Sequence, residues 1–168
     1  MRIRKGTTDD IPVILALLDG AVEWLVSQGR TRQWGSRPWS ELPRGVETVR
    51  TYVTTGEPWI AEIDGIPVGT LTLTDGPGPY LPRVDEPERY VHLLAVDHRF
   101  SGRGIGSTLL AHAATETRRA GVRLLRVDCY AGDDGELVDY YERNGFTRTE
   151  AFTIGDDTWP GQVLARRL

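Results

Sequence analysis

The feature that most narrows the fold is a handover from strand to helix. In the segment Leu93 to Leu110, apolar residues lead through Gly102, Gly104 and Gly106, with Arg99, Arg103 and two serines among them, into a leucine-rich stretch. A helix N-terminus exposes backbone N–H groups without partners and carries partial positive charge. Glycines just ahead of it remove side chains, so an anion can approach those amides closely. Arg99 and Arg103 are expected to add charge at the rim. The fitting guest is a phosphate or pyrophosphate, and a ligand-free glycine turn is the plainer alternative.

Spacing narrows the guest. A Walker loop needs Lys and then Ser or Thr after its final glycine, whereas Ile105 follows Gly104 here. The dinucleotide fingerprint G-x-G-x-x-G belongs to the first strand–helix unit of its domain. These glycines run G-x-G-x-G, late in the chain and after a hairpin signal. Neither motif fits.

The elements around the loop alternate. Arg2 to Lys5 reads as a short strand. Thr7 or Thr8 caps a helix whose apolar stripe is Ile11, Ile14, Leu15, Leu18, Val22 and Leu25, with Gly29 as its stop. A second helix is expected over Val46 to Val53. Strands near Trp59–Ile63 and Val68–Thr74 flank Asp64-Gly65, a tight-turn signal. The strand of Tyr90 to Val96 then enters the glycine loop, and the helix beyond it should stop at Gly121. A strand around Leu124 to Tyr130, a short helix closed by Gly145 and a final strand pair complete the layout. The pattern is a mixed sheet with helices on its faces, α/β or α+β.

Composition limits the function. With 168 residues the chain is expected to form one domain, residues 1–168. A net charge of −4 argues against a nucleic-acid partner. The single cysteine, Cys129, cannot form an internal disulfide, which fits a reducing cytosol. The N-terminal stretch lacks the apolar core of a signal peptide, and no run approaches membrane-spanning length. A soluble, cytoplasmic chain without membrane contact is therefore expected.

Two motifs carry a resemblance. Arg99-Phe100-Ser101-Gly102-Arg103-Gly104 resembles the R/Q-x-x-G-x-G/A pyrophosphate loop of the GNAT superfamily of N-acetyltransferases. Farther on, Tyr140-Tyr141-Glu142-Arg143-Asn144-Gly145-Phe146 is similar to the same family's Y-E-x-x-G-F signature. The resemblance implies a twisted, mostly antiparallel sheet of about seven strands with about four helices. It also implies a cofactor cleft between two splayed parallel strands. Acetyl-CoA is the implied cofactor and CoA the product. Backbone groups of Leu94 and Val96 would hold its pantetheine arm. The amides from Arg99 to Gly106, including those of Gly102, Arg103, Gly104 and Ile105, would hold its pyrophosphate, with Ser107 in the first helical turn. Asp134 stands where the family often has a pantetheine-binding Asn, and a carboxylate accepts hydrogen bonds without donating them. Ser101 replaces a second basic residue.

The implied reaction is acetyl transfer to a primary amine by direct attack in a ternary complex. Its acceptor is a small-molecule amine or a peptide, and a homodimer is compatible with the family. Tyr141 occupies the acid position, where it would protonate the leaving thiolate. A lysine-like acceptor, of pKa about 10.4, must lose a proton before attack. Glu88, Tyr90, His92, Leu94 and Val96 share parity and hence one expected face of the strand. His92 is the first candidate base and Glu88 the second. Cys129 reads as a small buried residue, not a nucleophile. Trp24, Trp34, Trp39 and Tyr80 fit either an acceptor pocket or lid packing. A catalytically silent CoA-binding sensor is the alternative function.

Overall fold

The computed structural model describes residues 1–156 and 158–168. In chain order the described elements are β1 (Arg2–Lys5), α1 (Ile11–Ser27), α2 (Pro43–Thr55), β2 (Glu57–Ile63), β3 (Ile66–Thr74) and β4 (Arg89–Val96). They continue with α3 (Ile105–Arg119), β5 (Leu124–Tyr130), α4 (Glu136–Arg143), β6 (Thr147–Ile154) and β7 (Trp159–Arg167). The strands follow the order β1-β2-β3-β4-β5-β7-β6. β1 with β2, β2 with β3, β5 with β7 and β6 with β7 are antiparallel, whereas β4 runs parallel to β5. This is the mixed, mostly antiparallel α/β sheet with four helices that the sequence predicts.

Local chemistry explains the element ends. Before α1, the Thr7 hydroxyl accepts from the Asp9 amide, and Asp10 accepts from the Thr7 amide at 2.8 Å, a reciprocal cap. The expected stripe Ile11, Ile14, Leu15, Leu18, Val22 and Leu25 is buried, and α1 ends before Gly29 at φ 74°. α2 begins earlier than Val46 because Pro43, with its φ preset for a first turn, starts it. Asp64 and Gly65 both take positive φ, 52° and 78°, the geometry of the turn that matches strand twist in a two-residue hairpin.

By its contacts the chain divides into two compact units, Met1–Thr74 with His92–Leu109 and Asp75–Val91 with Leu110–Leu168. In the first, Ile14, Leu18, Val49, Val53 and Ile60 form a core that takes in Ala95 of β4. Each large side chain so buried contributes about 1.5–3 kcal/mol. β3 also gives up a side chain here. A Cβ on Gly69 would stand 3.0 Å from Ile105 and 3.1 Å from Leu109, so glycine lets the start of α3 settle onto the strand. In the second unit α4 packs on β5 and β6, and Leu124, Leu125, Val127, Val138, Phe146, Val163 and Leu164 are buried. Among the described residues no helix is long and apolar enough to cross a membrane.

Candidate active site

The glycine loop lies wholly in the first unit. Gly102 and Gly104 have φ of 78° and 70°, conformations that L side chains rarely adopt. A Cβ on either would meet nothing within 4 Å, so both face open space. The first helical bond of α3 runs from the Thr108 amide to the Gly104 carbonyl at 2.9 Å. The amides of Ile105, Gly106 and Ser107 therefore precede any intrahelical acceptor. Among the described residues, those of Gly102, Arg103 and Gly104 donate to no backbone carbonyl. A row of N–H donors at a helix start, beside space that no side chain fills, has the chemistry a diphosphate needs.

The two arginines behave differently from one another. Arg103 lies over the Phe100 ring at 5.2 Å. Arg99, expected as a rim charge, is paired with Asp97. Its Nη2 donates to Oδ2 at 2.7 Å and its Nε to both carboxylate oxygens at 3.1 Å, while its amide caps onto Oδ1 at 3.0 Å. The guanidinium holds the Asp97 carboxyl below the usual carboxylate range. Asp97 thus starts the short 3-10 turn over His98–Phe100 and neutralises Arg99 in one contact.

β4 carries an irregularity. Leu93 has φ 54°, within a strand and on a bulky side chain. It falls after His92, so strict alternation counted from Glu88, Tyr90 and His92 does not carry through to Leu94 and Val96. His92 stacks on Tyr52 of α2, with ring centroids 4.0 Å apart, while Leu93 and Ala95 pack into the core that α2 lines. Leu94 and Val96 are half-buried. Parallel pairing with β5 is registered from Arg89↔Leu125 to Val91↔Val127.

Glu88, Asp134 and Tyr141 belong to the second unit. Glu88 is no base. Both its oxygens accept from Arg126, Nε to Oε2 at 2.5 Å and Nη2 to Oε1 at 3.0 Å, and its side chain is 3% exposed. Asp134 Oδ1 accepts from the Glu136 amide at 3.1 Å, which helps to begin α4. Tyr141 is 6% exposed and meets Phe146 edge-to-face at 5.8 Å. Burial pushes its phenol well above the usual value, with Cys129, Tyr140 and Asp128 adding to the shift. It holds its proton at neutral pH. Cys129 is buried, and burial pushes its thiol up to about 12, as a packing residue requires and a nucleophile does not.

Of the tryptophans, Trp34 and Trp39 pack against the first unit's core, and the Trp39 indole donates to the Trp34 carbonyl at 3.1 Å. Trp24 is 40% exposed on α1. In the sequence Asp128 stands out only for its distance from the glycine loop, roughly that of the dinucleotide fingerprint's acidic residue, whereas in the structure both Tyr80 and Tyr90 donate to it through their hydroxyls. A signal was there: Arg126, Asp128 and Tyr130 place polar groups at every second position of an otherwise apolar strand.

Comparison with known proteins agrees with this geometry. A model of the Acetyltransferase (GNAT) family matches residues 20–146. An uncharacterized N-acetyltransferase of Bacillus subtilis, YesJ, is 28% identical over 94% of this chain and 87% of its own length. A GNAT-family acetyltransferase from Listeria monocytogenes superposes with a TM-score of 0.74 at 20% identity, over 99% of this chain and 94% of the other. The structure of yncA from Salmonella typhimurium, solved with its cofactor acetyl-CoA, gives 0.69 at 18% identity, over 100% and 94%. With a family match across most of its length, the chain belongs to the GNAT family of N-acetyltransferases.

Proposed function

We propose that this protein transfers an acetyl group from acetyl-CoA to the primary amine of an acceptor by direct attack in a ternary complex. The observation that carries the reading is the row of amides from Gly102 to Ser107, beside two glycines whose missing side chains leave their approach open. Those amides would hold the diphosphate of the cofactor, with Arg103 as a nearby cation that no carboxylate among the described residues claims. The backbone of Leu94 and Val96 would carry its pantetheine arm. Bound acetyl-CoA supplies the activated acetyl group.

The chain's own residues manage protons. Tyr141 keeps a proton on Oη for the departing sulfur, since burial keeps the phenol neutral. Acid–base help of this kind is typically worth about 10²–10⁴-fold. With Glu88 committed to Arg126, His92 is the base, its imidazole oriented by the Tyr52 ring. A neutral imidazole nitrogen can accept the proton that the attacking amine gives up. Asp134 serves α4.

The test is thiol release from acetyl-CoA across a panel of amines, run on the wild type and on Gly104→Val. A valine there must adopt φ near 70° and projects into the open approach. Acetyl-CoA affinity should fall at least about tenfold, beyond the roughly 1–2 kcal/mol of backbone strain. A wild-type chain that binds no acetyl-CoA at millimolar concentration would overturn the reading.

A further inference from the structure

One face of the second unit holds a polar and aromatic set that the acetyl-transfer machinery leaves unused. Arg126, Asp128 and Tyr130 project to the same side of β5. The registers put Gly161 of β7 opposite both Tyr130 and Phe152, and Trp159 lies two residues before it. The Phe152 ring occupies the space a side chain at position 161 would need, so the glycine lets the ring lie across the strand. Ring centroids follow in a chain, with Tyr130 to Trp159 at 5.3 Å, Trp159 to Phe152 at 6.3 Å and Phe152 to Tyr80, stacked, at 5.9 Å.

Asp128 stands at the edge of these rings. Its Oδ2 accepts from the Tyr90 hydroxyl at 2.7 Å and the Tyr80 hydroxyl at 3.0 Å. Neither donor is a cation. The guanidinium whose charge acts on it, Arg126, is committed to Glu88 and lies over the Tyr90 ring at 5.3 Å. Among the described residues Asp128 forms no salt bridge. A carboxylate drawn partly out of water is normally paired. Burial holds this one above its usual carboxylate pKa, although both phenols and Arg126 pull the other way. Its surroundings also select for sign, because aromatic faces attract cations and a carboxylate repels anions. The set is reachable, with Tyr80 42% exposed and Asp128, Phe152 and Trp159 half-buried. Asp128 is close enough for its charge to act on Tyr141, the proposed acid.

We propose that Asp128, beside Tyr80 and the run of rings that continues through Phe152 to Trp159, is the seat for the acceptor's ammonium group, and that the acceptor is a small cationic amine with an apolar or aromatic body. The inference rests on the acetyl-transfer reading and deepens it by naming the substrate class.

Calorimetry on the full chain, without acetyl-CoA, tests it with 2-phenylethylamine and its neutral isostere 2-phenylethanol. The amine should bind at least about tenfold more tightly than the alcohol, the loss expected when a charge goes unpaired. Asp128→Asn should erase that preference and raise the KM for the amine at least about tenfold, while acetyl-CoA affinity stays unchanged. Phe152→Leu should weaken 2-phenylethylamine more than ethylamine, and it carries the test should Asp128→Asn fail to fold. Equal binding of amine and alcohol, or an unchanged amine preference in the variants, overturns the assignment and leaves acetyl transfer standing. Failure to bind acetyl-CoA strikes the acetyl-transfer reading instead, since amine binding is measured without it.

Discussion

Arg126 grips Glu88 through two hydrogen bonds, one to each carboxylate oxygen, with the two side chains 5% and 3% exposed and the residues 38 positions apart in the chain. Removing one partner of such a pair strands the other charge away from water, which costs about 3–5 kcal/mol. Glu88→Gln should therefore lower Tm by roughly 10 °C for a chain of this size. Acetyl transfer by the folded variant, measured well below its Tm, should keep its kcat. A kcat loss of about a hundredfold with Tm unchanged would instead make Glu88 the base.

Tyr141→Phe removes a hydroxyl and little volume. Turnover should fall at least about tenfold with acetyl-CoA affinity nearly constant, because the group acts on the leaving sulfur and not on binding. The raised phenol pKa adds a second expectation. Ionisation of Tyr141 should not contribute to the alkaline limb of kcat below about pH 10, the ordinary tyrosine value. Equal turnover by the phenylalanine variant removes the acid from the mechanism.

Asp10 accepts from the Arg4 Nη1 and Nη2 atoms at 3.1 and 2.8 Å and from the Thr7 amide at 2.8 Å. The Arg4 hydrogen bonds, with help from Thr7, hold its carboxyl below the usual range. A carboxylate with a depressed folded pKa stabilises fully above its unfolded value, about 3.9, and loses that contribution as pH falls through the folded one. Asp10→Asn should cost about 1–3 kcal/mol at pH 7. The gap in Tm from the wild type should narrow below about pH 4. A gap that stays constant down to pH 2 would show that the charge is not what matters.

Local chemistry was legible in the sequence, and distant pairing was not. The Asp64-Gly65 turn, the Gly29 and Gly121 stops and the glycine loop each depend on residues a few positions apart, so their patterns survive in one dimension. Glu88 stands as a second candidate base in the sequence because its partner, Arg126, sits on another strand. Arg99 read as a rim cation although Asp97 stands two positions away, since a sequence does not reveal which way a long side chain turns. Parity counting along β4 meets a different obstacle. It assumes every residue of a strand is extended, and the count stops short of Leu94 and Val96 because Leu93 is not.

That residue gives a prediction of unusual sign. In a regular strand, glycine is less favourable than alanine by roughly 0.5–1 kcal/mol. At position 93 the backbone has φ 54°, where any residue with a Cβ is strained by about 1–2 kcal/mol and glycine is not. Leu93→Ala and Leu93→Gly both lose the leucine's packing against the core of Val49, Val53 and Leu18. Both should melt below the wild type. Only the alanine keeps the strain, so Leu93→Gly should melt at or above Leu93→Ala, reversing the strand order. If alanine melts clearly higher, the left-handed backbone at position 93 holds no strain for glycine to relieve.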